Sequence, residues 1–96
     1  MIVVKFHKGL NKVVAICDKN LIGKTFSDGN IEIKIGEYFY GGNVKSEEEV
    51  DEIMKNYDNL NIVGKESVGL AIKSGVIDKE KVIFIKKVPH AQTISF

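Results

Sequence analysis

Arginine is missing from this chain: all 14 basic residues are lysine, set against 13 acidic residues for a formal net charge of +1. Near-balance removes any global field that would draw the protein to nucleic acid or a membrane surface, although a local cluster is still open to it. Without arginine the usual bidentate reader of phosphate and guanine is gone, so any nucleic-acid contact has to use lysine point charges. Cysteine is down to one residue, Cys17, which has no disulfide partner and suits a reducing interior. No stretch approaches the ~18 apolar residues of a spanning helix, and Met1-Ile2-Val3-Val4-Lys5 lacks the character of a secretory leader. The expectation is a cytoplasmic protein with no membrane association. His7, Cys17 and His90 could in principle supply three zinc ligands, but no Cys-x-x-Cys or His-x-x-x-His spacing supports them. Neither a metal nor a cofactor is expected.

What is present suits one compact domain over residues 1–96, since 96 residues of 44% hydrophobic content fill one core and are too few for two. Ile2 to Phe6 and Val13 to Cys17 are β-branched runs split by Lys8-Gly9-Leu10-Asn11, which predicts an antiparallel hairpin. The second run is apolar on both faces, as an interior strand must be. Asp18 can cap a helical turn over Lys19 to Ile22 that ends at Gly23. Ser27-Asp28-Gly29-Asn30 is a turn, and Ile31 to Ile35 alternates as a strand with one buried and one wet face. Gly36 to Gly42 is an aromatic cluster closed by two glycines, which suggest a reversal at positive φ.

Ser46 and Glu49 form a capping box for a helix from Glu47 to about Tyr57, with Val50, Ile53, Met54 and Tyr57 on one face. Leu60 to Val63 is a short strand and Lys65 to Ser74 a second helix stopped by Gly75. The last fifteen residues, Val82 to Phe96, combine an apolar run, the sole proline and an alternating strand. They are expected at the centre of the sheet, with Pro89 and His90 at the joint between two strands. The fold class is α/β (α+β): a mixed sheet of five to six strands with two helices on one face, and Ile62 to Ile85 as a strand-helix-strand unit.

Val63-Gly64-Lys65-Glu66-Ser67 invites comparison with a phosphate-binding loop, but the motif's first glycine would fall at Asn59 and Glu66 replaces the magnesium-binding hydroxyl. The helix start at Gly64 is then a general anion site at most. His90, beside Pro89 and Gln92, has an imidazole able to act near neutral pH as donor, base or ligand. Cys17 lies beside the acid Asp18, the wrong setting for a reactive thiolate. Lys5, Lys8, Lys12, Lys19 and Lys24 cluster early and, with Lys86 and Lys87, could form one basic face, beside which Tyr38, Phe39 and Tyr40 could stack on bases.

The segments Val14-Ala15-Ile16-Cys17-Asp18, Leu21 to Phe26, Phe39-Tyr40-Gly41-Gly42, Asn61-Ile62-Val63-Gly64 and Val88-Pro89-His90-Ala91-Gln92, spread over nearly the whole chain, resemble an archaeal family catalogued as domain of unknown function 424. The resemblance implies a small archaeal cytoplasmic α/β protein, tilts toward association with translation, and carries no activity. The leading expectation is a non-enzymatic binding protein contacting RNA or a ribonucleoprotein partner. The alternative is a small enzyme or metabolite- or anion-binding protein with its site around His90 and the Gly64 helix start; an oligomerising domain is third. The candidate binding residues are Lys24, Tyr40, Gly41, Gly42, Asn61, Gly64, Lys65, Pro89, His90 and Gln92, and no catalytic residue is assigned.

Overall fold

A computed structural model describes residues 1–9 and 12–94 of the chain. Its β-branched start forms the expected hairpin: β1 (Ile2–Phe6) and β2 (Val14–Asp18) pair antiparallel, with Val3 opposite Cys17 and Phe6 opposite Val14. Leu10 and Asn11 of the intervening break lie outside the described residues. A 3-10 turn over Lys19–Leu21 follows, and Gly23 takes a φ of 88° just beyond it.

β3 (Thr25–Asp28) and β4 (Ile31–Lys34) then form a two-stranded ribbon of their own, turning at Gly29. The expected one-sided strand holds from Glu32 to Ile35, with Glu32 and Lys34 exposed and Ile33 and Ile35 turned to the core, and fails at Ile31. Ile31 is 58% exposed while Phe26 and Ile33 pack partly buried against the core and Ile35 is fully buried, because the ribbon lies on the sheet instead of extending it and its turn end reaches beyond the core. α1 (Glu37–Tyr40) is a single turn, followed by β5 (Asn43–Lys45) at the sheet edge.

α2 (Glu47–Asn56) starts in the predicted capping box: Ser46 Oγ accepts from the Glu49 amide at 3.1 Å and Glu49 Oε1 from the Ser46 amide at 3.0 Å. β6 (Leu60–Val63) and α3 (Lys65–Lys73) come next, and Gly75 ends the helix at a φ of 80°. β7 (Ile83–Ile85) and β8 (Val88–Thr93) complete the described chain.

Among the described residues the main sheet has six strands in the order β5-β1-β2-β6-β8-β7, parallel between β2 and β6 and antiparallel elsewhere. On one face Val4, Ile16, Ile62 and Ala91 meet Val50 and Met54 of α2 and Val68 and Ala71 of α3. On the other, Val3, Cys17 and Val63 meet Ile35 and Tyr40, brought by the ribbon and α1. β2 is therefore covered from both sides and buried throughout, as its two-faced apolar sequence requires. Ile16 and Ile62 are wholly excluded from water, each such side chain contributing roughly 1.5–3 kcal/mol.

The carboxy-terminal stretch departs from expectation. β2 and β6 are the sheet centre, whereas β7 is an edge strand with Ile83 and Phe84 more than half exposed. The joint is not at Pro89-His90 either. Ile85 and Val88 pair directly, leaving Lys86 and Lys87 as a two-residue turn at φ 51° and 66°, the type I′ geometry that suits strand twist. Pro89 and His90 lie inside β8, Ile94 is exposed, and Phe96 lies outside the described residues. The strand-helix-strand unit is also modified: β6 and β7 point the same way, but β8 lies between them.

Candidate functional site

Strand register brings the candidate polar residues onto the face that carries the ribbon and α1. Lys5, Ala15, Asn61 and Gln92 form one cross-strand row, and Val3, Cys17, Val63, His90 and Ile83 the next. Asn61 and Gln92 are thus direct neighbours on β6 and β8, with His90 one row away. The Tyr40 hydroxyl donates to Asn61 Oδ1 at 2.8 Å. Together Tyr40, Asn61, His90 and Gln92 line a cavity of about 280 Å³, with Ile33, Ile83 and Ile85 as its apolar wall and Lys81 as the one cation among its described lining residues.

His90 is 7% exposed, and its Nε2 is shielded from water with no hydrogen-bond partner among the described residues. Burial holds its pKa below the ordinary 6.5, so the ring is neutral at physiological pH. Burial likewise pushes the Tyr40 phenol up to about 12 and, with a smaller push from Asp18, the Cys17 thiol up to about 12. Neither group ionises near neutrality, which makes Cys17 a core residue and Tyr40 a hydrogen-bonding residue.

A second hollow, also about 280 Å³, lies at the end of the sheet where the Lys86-Lys87 turn sits. Lys24, Lys65, Lys86 and Lys87 line it together with Pro89 and the buried Asp18. Asp18 does not cap the turn that follows it. Its carboxylate crosses to the start of α3, where Oδ2 accepts from the Glu66 amide at 3.0 Å and Oδ1 accepts from the Ser67 amide at 2.9 Å and the Ser67 hydroxyl at 2.7 Å. The helix N-terminus that could hold an external anion is therefore already filled by the chain's own carboxylate.

Gly64 is explained by the same contact. A Cβ there would stand 2.3 Å from Asp18 Cγ at a φ of 111°, and the Gly64 amide is engaged by Pro89 O at 3.0 Å. Gly64 is thus a packing position and not part of the His90 cavity. Gly41 and Gly42 are also close approaches: added Cβ atoms would fall 2.5 Å from Glu37 O and 1.9 Å from Val4 O. Neither takes the positive φ expected of the pair, because Gly41 serves close approach to Glu37 at the start of α1 and Gly42 close approach to Val4 of β1, not a backbone reversal.

The ten candidate residues thus divide three ways: Tyr40, Asn61, His90 and Gln92 around the cavity, Lys24, Lys65 and Pro89 around the lysine hollow, and three glycines in packing. The early lysines do not form one face. Lys8 and Lys12 line a different hollow beside Phe6 and Val14, at the opposite end of β2 from Asp18. Lys5 lies 4.7 Å above the Tyr38 ring. Nor are the aromatics a stacking platform: Tyr40 is buried, Phe39 stacks on His7 at 4.5 Å, and Tyr38 alone of the three is open to solvent. His7 is engaged at Phe39 O, 2.8 Å from its Nε2. The described residues hold no group of three or more side chains arranged for a metal.

Sequence reasoning missed Asp18 as the α3 cap, Lys81, and the three isoleucines of the cavity wall. Asp18 lies 49 positions from Ser67, so no local motif marks it; only the parallel pairing of β2 with β6 does.

The family model described as "Protein of unknown function (DUF424)" matches residues 6–96. A crystal structure of an uncharacterized conserved protein from Methanopyrus kandleri is similar, with a TM-score of 0.79 and 20% sequence identity over 96% of this chain and 89% of that one. No curated protein matches. At that identity the crystal structure speaks for the fold alone.

Proposed function

We propose that this chain, which belongs to the DUF424 family of proteins of unknown function, is a non-enzymatic protein that binds the phosphate backbone of RNA in a ribonucleoprotein or translation setting. The observation that carries the reading is the lysine hollow. Four lysines from the segment before β3, the start of α3 and the β7–β8 turn line one concavity, and Asp18, the one acid among its described lining residues, is engaged by α3. Like charges brought together repel, and a cluster of this kind is stabilised by an anion that bridges it. Lysine supplies charge without bidentate geometry, which suits contact with phosphates more than recognition of a base sequence.

Lys86 and Lys87 strengthen the reading. Both hold left-handed backbone conformations that asparagine or glycine would adopt more readily, and strain of that kind concentrates where function needs a particular side chain. Cys17 and Tyr40, both protonated at neutral pH, offer no nucleophile, in keeping with a binding role. A reducing, cytoplasmic setting accords with the lone buried thiol, and among the described residues no helix is long and apolar enough to cross a membrane.

The test is fluorescence anisotropy of a labelled single-stranded RNA with the wild-type chain and with a Lys24→Glu, Lys65→Glu variant. Charge reversal at two of the four positions is expected to weaken binding by at least about tenfold at low salt. Equal affinity in the two proteins, at equal thermal stability, would overturn the proposal.

A further inference from the structure

We infer that the cavity between Tyr40, Asn61, His90 and Gln92 is a binding site for one nucleobase, presented either by a bound strand or by a free nucleoside. It does not rest on the lysine hollow, and the two stand or fall separately. The cavity, at about 280 Å³, lies just below the range of clefts that enclose drug-sized ligands, so it fits a ligand of one or two rings. One side is apolar, formed by Ile33, Ile83 and Ile85, a surface on which a flat ring can rest. The other side is polar and carries mixed donors and acceptors.

That polar side has the composition a base edge needs. The Asn61 and Gln92 carboxamides are register neighbours, and each offers a donor and an acceptor. Tyr40 gives its proton to Asn61 Oδ1, which leaves the phenol oxygen as an acceptor and one lone pair on Asn61 Oδ1. His90 also lines the cavity and carries a buried Nε2 with no partner among the described residues, an unmet cost that a ligand would relieve once the ring turns toward it. None of the described lining residues is acidic, so a free amino acid or amine would find no counter-charge among them for its ammonium group. Among the described lining residues Lys81 is the only charge, suited to a ribose hydroxyl or phosphate leaving the site. A neutral heterocycle with amide-like edges matches all of these features, and carboxamides are the side chains that read such edges.

Placement supports a link to a strand without requiring one. Val88 packs with the core on the ribbon face, and His90 and Gln92 follow it at alternate positions of β8. The lysine hollow at Val88 and the cavity at Gln92 are therefore only roughly 13 Å apart along the strand.

The experiment has two arms on the full chain. Isotope-labelled protein is titrated with adenosine, cytidine, guanosine and uridine, which carry no phosphate for the lysines, while the His90 ring and the Asn61 and Gln92 side-chain amides are followed by NMR. In parallel, an intact RNA oligonucleotide is compared with the same backbone lacking its bases. Saturable shifts at these three side chains with at least one nucleoside, abolished by Gln92→Ala at an exposed position, support a free-nucleoside source. An affinity for the intact strand at least about tenfold above the base-free strand, reduced to parity by Gln92→Ala, supports a strand source. If no nucleoside shifts these side chains and the two strands bind alike, the inference is overturned while the backbone reading survives. If neither strand binds but a nucleoside does, the backbone reading falls and the cavity assignment holds.

Discussion

Replacing Lys86-Lys87 with Asn-Gly is expected to make the protein more stable and worse at binding RNA. Both lysines occupy the left-handed region, at φ 51° and 66°, in a two-residue turn closed by the Ile85–Val88 pair. An L-residue held there costs roughly 1–2 kcal/mol, which asparagine tolerates better and glycine escapes. Glycine gives back roughly 0.5–1 kcal/mol through the entropy of the unfolded chain. The net gain is about 1–2 kcal/mol, or a melting temperature higher by roughly 4–16 °C for a domain of this size. Circular dichroism melts and urea titrations read this change. The same variant removes two of the four cations around the hollow, so the dependence of log K on log salt for a single-stranded RNA should become shallower by about 1.4. A fall in stability would refute the strain assignment. Unchanged affinity and salt slope would refute the role of the turn in phosphate binding.

The remaining predictions concern the cap and the buried histidine. Asp18→Ala leaves the Glu66 and Ser67 amides and the Ser67 hydroxyl without their acceptor and should cost about 3 kcal/mol in urea unfolding; a loss under about 1 kcal/mol would count against the cap. Gly64→Ala should destabilise by more than about 2 kcal/mol because of its positive φ and the overlap with Asp18, and by less in an Asp18→Ala background, since the two sites share one contact. Because burial lowers the folded pKa of His90 below 6.5, the unfolded chain binds the proton more readily. Its stability is then full above about pH 6.5 and declines below it, with a slope of at most about 1.4 kcal/mol per pH unit. His90→Leu should remove that part of the decline. Parallel wild-type and variant profiles between pH 7.5 and 5 would show that the ring is not desolvated.

Local chemistry made much of the fold legible. The β-branched run of β2, the Ser46–Glu49 box and the Gly75 stop each act over a few residues, and each stands where the sequence placed it. The errors lie where sequence-distant pairing decides. Val82 to Ile85 is as apolar as a central strand, yet β8 inserts beside β6 and leaves β7 at the edge. The ribbon strand β3 has one large apolar residue, Phe26, and too little pattern to declare itself. In the candidate sites, Asn61, His90 and Gln92 lie far apart in sequence and the register of β6 against β8 unites them, with Tyr40 joined through its bond to Asn61, whereas Gly64 stands apart from that group. Gly41, Gly42 and Gly64 stood out for the same visible reason, the absence of a side chain, but that absence serves packing against Glu37, Val4 and Asp18.

The most direct measurement is the salt dependence of wild-type affinity for a short single-stranded RNA. With three to four lysines of the hollow on phosphates, log K should fall against log salt with a slope of about −2 to −3. A slope near zero, or no binding at low salt, would contradict the assignment of the lysine hollow to an RNA backbone.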